Sequence, residues 1–416
     1  MKIAAQTGTP LSVADAEWFQ RTELQRVFAA LNSEGHEARI VGGALRNTLM
    51  KLPIGDVDFA VTAEPEEMMR LAEAAGLKTV PTGLSHGTVT IVVDGMPFEA
   101  TTLRHDVETD GRFAKVAFTR EWAADASRRD FTINALYADA DGRVYDPLGE
   151  GIADIQAGRI RFIGRPVDRI HEDYLRILRF FRFTAEYSRT NVDPAGLEAC
   201  IDGKDGLAQL SAERVRTELL RILAAENPML ALEPMAESGI LELILGGKAR
   251  LPVFARLAAI EAHLNLHAYP VRRLAALAVA GPVDARRLAK ELKLSNAESA
   301  SLKHMGAPEP EIHPALSKVE QRHLLYRLGP ERYDDRVLIA WSCSDASVDD
   351  KEWLSVSTLP KRWTPPEFSI SGEDLIARGF KPGPELGKAL RELEERWIAS
   401  NFKLSKDKLL ADLTKS

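Results

Sequence analysis

Cysteine is nearly missing from this chain: Cys200 and Cys343 are the only two in 416 residues. They make no Cys-x-x-Cys pair and cannot complete a four-ligand zinc site, although one disulfide between them stays open. A disulfide scaffold is excluded, and the reducing cytoplasm is the expected compartment. Proline is not in excess, with 22 residues, and a composition 45% hydrophobic and 28% charged argues against a disordered chain. Long apolar runs are missing too. No uncharged stretch reaches the ~20 residues that a spanning helix needs, and MKIAAQTGTPLSVADAEWFQ holds no apolar core for a signal peptide, so no membrane partner is expected. Nor is there an excess of positive charge: 54 Lys and Arg face 61 Asp and Glu, a formal charge of -7. Any nucleic-acid partner needs a local basic surface.

What is present changes character along the chain. Spacing predicts a helix over 17–35, strands at 39–41 and 57–61, a helix at 65–76, and a hairpin of 88–93 with 98–103 around Asp94-Gly95. Residues 1–155 therefore read as a mixed α/β unit. From about Asp168 the periodicity is helical, first in EDYLRILRFFRFTAEY (172–187), then in SAERVRTELLRILAAE (211–226), where Ser211 and Glu213 are placed for helix entry, with a helical body beyond. Trp-Thr-Pro-Pro at 363–366 marks a joint. The fold class is α+β, divided as a head (1–155), a helical neck (156–226), and a helical body and tail (227–416).

The chemistry concentrates in VGGALRNTLMKLPIGDVDF (41–59). In a strand, Asp56 and Asp58 put both carboxylates on one face and can share divalent cations. Gly42 and Gly43 lie between strand and helix, where a missing Cβ lets backbone N–H groups approach a triphosphate, and Arg46 can grip a phosphate. Such a site suits nucleotidyl transfer with two Mg²⁺ ions, one activating a 3′-hydroxyl and one steadying the leaving pyrophosphate. Glu99 is a candidate third catalytic carboxylate, in competition with an edge-strand or salt-bridge role. A P-loop and a dinucleotide turn are both missing.

RRDFTINAL (128–136) is expected to open a helix. Arg128 and Arg129 can hold phosphate or ribose hydroxyls, while Asp130 and Asn134 support each other at i, i+4. In EDYLRILRFFRF (172–183), Glu172 can brace Arg176, and Asp173 offers only acceptors where Arg176 offers only donors. That pair matches the amine and neighbouring acceptor of cytosine or adenine and mismatches guanine and uracil, although a surface salt bridge also accounts for it. Arg179 is a further nucleotide-binding candidate.

These motifs, with DPLGEGIADI (146–155) and SAERVRTEL (211–219), stand in the order of the bacterial-type (class II) tRNA CCA-adding nucleotidyltransferase and poly(A) polymerase family, which the chain resembles over about residues 39–220. ISGEDLIARGFKPGPELGKALRELEE (370–395) is similar to that family's tail. The resemblance implies a polymerase-beta-like palm with Asp56 and Asp58 as metal ligands. It implies that Arg128, Asp130 and Asn134 serve ribose and phosphates, and that Asp173 and Arg176 form an amino-acid template for CTP and ATP, with Glu172 orienting the arginine. TTLRHDVETDGRFAKVAF (101–118) looks like the loop that helps switch from C to A. Asp146 would lie at a hinge, and 213–218 would stabilise the neck.

Two positions depart from the family pattern: Asn47 stands where aspartate is usual and Glu150 where a second glycine is usual. A basic stripe of Arg159, Arg161, Arg165, Arg169, Arg176, Arg179 and Arg182, with Lys403, Lys406 and Lys408 in the tail, is the expected surface for a tRNA lacking all or part of its 3′ CCA. The sequence supports ordered CCA addition. It leaves open poly(A), CC-only or A-only addition, an inactive RNA-binding scaffold, and the oligomeric state.

Overall fold

Leu24, Val27, Phe28 and Leu31 fall on one face of α1 (Thr22–Leu31), and burying that face against a sheet positions the whole head. The helix is shorter than the 17–35 that periodicity predicts. The protein is described by a computed structural model over residues 11–110, 113–307 and 309–411, in two compact units, Met1–Gly246 and Gly247–Ser416.

In the first unit the strands are β1 (Ala38–Val41), β2 (Asp58–Val61), β3 (Lys78–Gly83), β4 (Thr88–Val93), β5 (Met96–Thr102), β6 (Arg104–Asp110), β7 (Phe113–Phe118), β8 (Tyr137–Ala138) and β9 (Val144–Tyr145). Seven of them form a mixed sheet in the order β3-β4-β5-β2-β1-β8-β9, with β2 and β5 parallel, while β6 and β7 make a separate hairpin. The β4–β5 turn is the one expected: Asp94 and Gly95 have φ of 51° and 85°, the left-handed pair that a two-residue hairpin requires. The β6–β7 hairpin falls within the expected specificity loop (101–118), of which residues 111–112 lie outside the described residues.

β2 is fixed by aromatic packing on its inner face. Phe59 is 1% exposed and meets Phe28 of α1 edge-on at 4.9 Å between ring centroids and Phe98 of β5 at 6.2 Å. Strand alternation then turns Asp58 to the opposite face. The strand begins at Asp58, so Asp56 is exposed in the preceding loop and the expected strand over 57–61 is one residue too long.

Helices α2 (Gly43–Met50), α3 (Pro65–Ala74), α4 (Trp122–Ser127) and α5 (Gly151–Ala157) complete the head. RRDFTINAL does not open a helix: Arg128 caps the end of α4, and only Thr132–Asn134 forms a single 3₁₀ turn. The predicted helix over 172–187 is also interrupted. α6 (Pro166–Glu172) ends at Asp173, whose backbone is extended at φ -157°, ψ 110°, and α7 (Leu175–Tyr187) restarts. A cluster of Phe131, Phe162, Phe180 and Phe183, with centroid separations such as 4.8 Å for Phe131–Phe183, joins the Asp130 segment to α7.

Beyond α8 (Pro194–Asp202), α9 (Ala212–Ala224) packs on α7, followed by α10 (Met229–Glu237) and α11 (Ile240–Leu245). Ser211 caps α9 as expected, accepting from Arg214 N.

The second unit contains helices and no strand among its described residues. One core gathers around Trp341 and Trp353, stacked at 6.0 Å, and another around Leu393 and Trp397; the 363–366 joint falls between the segments that build them. Cys200 is buried, Cys343 is exposed, and both are free thiols, so the disulfide left open by the sequence is not formed. No described helix is long and apolar enough to cross a membrane.

Candidate active site

β1 carries Val41 opposite Asp58 in antiparallel register, so the Gly42-Gly43 turn begins beside that carboxylate. Gly42 has φ +78°, and a Cβ placed on it would lie 3.9 Å from Asp58 Oδ2. On the other side, β5 sets Glu99 in parallel register with Asp58. Burial, then Glu99 and Asp56, push the Asp58 carboxyl up to about 6, with Arg129 opposing them. A divalent cation between Asp56 and Asp58 would relieve that repulsion, so the donor set fits one. Among the described residues no three His, Cys, Asp or Glu side chains converge closely enough to hold an ion by themselves.

Next to this edge opens a cavity of ≈ 470 Å³, within the range of small-molecule sites. Its wall holds nine of the residues singled out in the sequence: Gly42, Gly43, Arg46, Arg129, Asp130, Asn134, Asp173, Arg176 and Arg179. Asp56, Asp58, Glu99, Arg128 and Glu172 are not in the wall. Leu175, Phe183 and Arg214 join it.

The wall is built from ion pairs. Asp130 accepts from Arg179 Nε at 2.8 Å, from Asn134 Nδ2 at 3.0 Å and from Phe131 N at 2.9 Å. Burial alone would raise its pKa, but Arg179 and these donors hold it down at about 2. The mutual support expected of Asp130 and Asn134 is present without a helix. Glu172 braces Arg176 as expected, across the break between α6 and α7 rather than along one helix, and also binds Arg169 at 2.7 Å. Asp173 accepts from Leu175 N at 3.0 Å through one oxygen and from Arg214 Nη2 at 2.6 Å through the other.

Several of these partners escape a reading of the sequence. Arg128 and Arg129 both fix on Asp125, which is 1% exposed, at 2.8 and 2.9 Å, and Tyr137 Oη donates to it at 2.7 Å. The i, i+3 and i, i+4 spacing in WAADASRR is the signal that points to Asp125. Arg214 lies 41 residues from Asp173 and carries no local signal. The basic stripe is corrected in part: Arg182 is 2% exposed and locked to Glu218 at 2.5 Å and Glu186 at 2.8 Å, while Arg161 binds Asp154 at 2.9 Å. These arginines of the first unit build its interior as much as its surface.

Of the two departures, Glu150 stands before α5 with its carboxylate 3.6 Å from Arg161. Asp146 accepts from Gly149 N and Ile152 N at 2.9 and 3.0 Å, closing the turn that precedes α5.

Three family models match in order: the Poly A polymerase head domain at 38–161, the RNA and SrmB-binding site of polymerase A at 191–249, and tRNA nucleotidyltransferase domain 2 at 273–413. Among relatives, the mitochondrial CCA tRNA nucleotidyltransferase 1 of Danio rerio is 35% identical, over 91% of this chain and 88% of its own. The CCA-adding enzyme of Latilactobacillus sakei is 31% identical over 92% and 95%. The crystal structure of the Bacillus stearothermophilus CCA-adding enzyme in complex with CTP superposes with a TM-score of 0.73 at 27% identity, covering 94% of this chain and 95% of that one. These likenesses establish that the protein is a nucleotidyltransferase belonging to the CCA-adding enzyme and poly(A) polymerase family.

Proposed function

We propose that the protein rebuilds the 3′ CCA end of tRNA, adding C, C and A from CTP and ATP and releasing pyrophosphate, in the cytoplasm. The observation that supports this reading is that Gly42, Gly43 and Arg46, the residues expected at the phosphates, line the same cavity as Asp173 and Arg176, those expected at the base, with Asp58 beside Gly42.

Asp56 and Asp58 would hold Mg²⁺, which when bound neutralises the triphosphate and activates the 3′-hydroxyl. The chain's own groups do the rest. The Gly42-Gly43 backbone and Arg46 orient the phosphates, Arg129 and the Asp130–Asn134–Arg179 cluster line the path of the ribose, and Glu172 aims Arg176 at the base edge. Asp173 accepts from the exocyclic amine shared by cytosine and adenine, and faces a carbonyl oxygen at that position in uracil or guanine.

The test is incorporation of each labelled NTP, singly and combined, onto tRNAs ending before CCA, after the first C, after CC, or complete. Ordered C, C, A addition that stops supports the reading. Long A tails, a stop after CC, or addition of only the last A would move the assignment to the corresponding relative. Retained addition by an Asp58→Ala protein would remove the metal-site assignment.

A further inference from the structure

Five arginines line the cavity, and four have a carboxylate within ion-pair distance: Arg129 with Asp125, Arg176 with Glu172, Arg179 with Asp130, and Arg214 with Asp173. Arg46 is the exception. It is 7% exposed, yet among the described residues every hydrogen-bond partner of its guanidinium is neutral. Asn47 Oδ1 accepts from Nε at 3.1 Å and from Nη2 at 2.8 Å, Asn134 Oδ1 accepts from Nη1 at 2.6 Å, and Tyr187 Oη accepts from Nη2 at 2.8 Å. The Tyr187 ring lies under the cation, 4.0 Å from Cζ to centroid.

The two amides are held in this orientation from behind. Asn47 Nδ2 donates to the Pro53 carbonyl at 2.7 Å and Asn134 Nδ2 donates to Asp130 at 3.0 Å. An aspartate at either place would set acceptor against acceptor on its outer side, so both positions need an amide to complete this arrangement.

A buried guanidinium without a counter-ion is costly, and burial lowers its pKa, against which Tyr187, Glu186 and Asp130 act. The cost falls when an anion arrives in the cavity. We propose that Asn47, Asn134 and Tyr187 are positioning residues that keep Arg46 unneutralised for the polyphosphate of the incoming nucleotide, so that they set affinity for its phosphates and not the choice of base. This rests on the reading of the cavity as a nucleoside triphosphate site. Tyr187 also ends α7, the helix that carries Arg176 and Arg179, and so ties the phosphate-binding side chain to the base-reading helix.

The test uses the full chain with two readouts: binding of inorganic tripolyphosphate by titration calorimetry, and addition kinetics with CTP and with ATP. Arg46→Gln sets the full effect, a loss of tripolyphosphate affinity of tenfold or more. Tyr187→Phe, which keeps the ring and removes the acceptor, and Asn47→Ala are each expected to weaken tripolyphosphate three- to tenfold and to raise KM for CTP and ATP by the same factor, with kcat within twofold of wild type. A merely structural role would lower the active fraction, and with it apparent kcat, leaving KM and tripolyphosphate affinity of the folded protein unchanged; that result overturns the proposal, as does a KM rise for one base only. If Asn47→Ala fails to fold, Tyr187→Phe alone decides. A wild type that adds neither CTP nor ATP to tRNA but shows the graded tripolyphosphate losses would sink the CCA reading and leave the cradle standing.

Discussion

Arg214 Nη2 donates to Asp173 Oδ2 at 2.6 Å, linking the first turn of α9 to the extended residue between α6 and α7. Asp173 is thereby held at both oxygens, by a backbone N–H and by a guanidinium. Hydrogen bonds to charged groups contribute roughly 1.5–3 kcal/mol, or about 10- to 100-fold in kcat/KM when they act on a reacting substrate. Arg214→Ala is expected to lower kcat/KM for CTP and ATP by about tenfold and to raise the relative use of UTP and GTP, because a swinging carboxylate discriminates less. Single-turnover incorporation of all four nucleotides checks this; unchanged ratios would confine Arg214 to holding α9.

Gly42 adopts φ +78° and ψ -131°, a combination that side-chain-bearing residues rarely tolerate. Gly42→Ala is expected to cost roughly 1–3 kcal/mol of stability through backbone strain. Relaxation of that strain would shift the turn away from Asp58, so addition should fall at temperatures where the variant is still folded. Denaturant unfolding and addition rates at 15 °C and 37 °C separate the two effects.

Glu261, 1% exposed in the second unit, binds Arg272 Nη2 and Arg273 Nε at 2.7 Å each. Arg272 also pairs with Asp335, at 2.9 Å. Glu261→Ala removes the buried carboxylate that both guanidinium groups share and is expected to destabilise the protein by about 3–5 kcal/mol. A denaturation midpoint within error of wild type would contradict this account of the core.

Asp125 and Asp130 both have carboxyls held at about 2, their arginine partners overcoming the upward push of burial. Unfolded aspartate titrates near ~3.9, so each contributes stability that is complete above that pH and is lost as pH falls through the folded value near 2. Stability should therefore drop between about pH 4 and pH 2, and Asp125→Asn should flatten that acid limb while lowering the neutral plateau. Urea midpoints across this range give the slope directly.

What the sequence determined by itself was local: the glycine turn before α2, the Asp94-Gly95 hairpin, the cap at Ser211, the Asp130–Asn134 and Glu172–Arg176 pairs, and an α/β head ahead of a helical remainder. Each rests on residues a few positions apart, where spacing dictates geometry whatever the rest of the chain does. Periodicity went wrong where a tertiary contact outweighed it. Glu172 to Tyr187 reads as one helix, but Asp173 leaves helical geometry and meets Arg214; Arg128 to Leu136 reads as a helix start, but Asp125 and Arg179 hold its arginines and acid in another conformation. Only the tertiary structure could decide which arginines are neutralised and which is not, because Arg46 is joined to Asn134 and Tyr187 across 88 and 141 residues. Charge on a guanidinium is written in the sequence, whereas its burial and its counter-ion depend on which distant chain segments close around it.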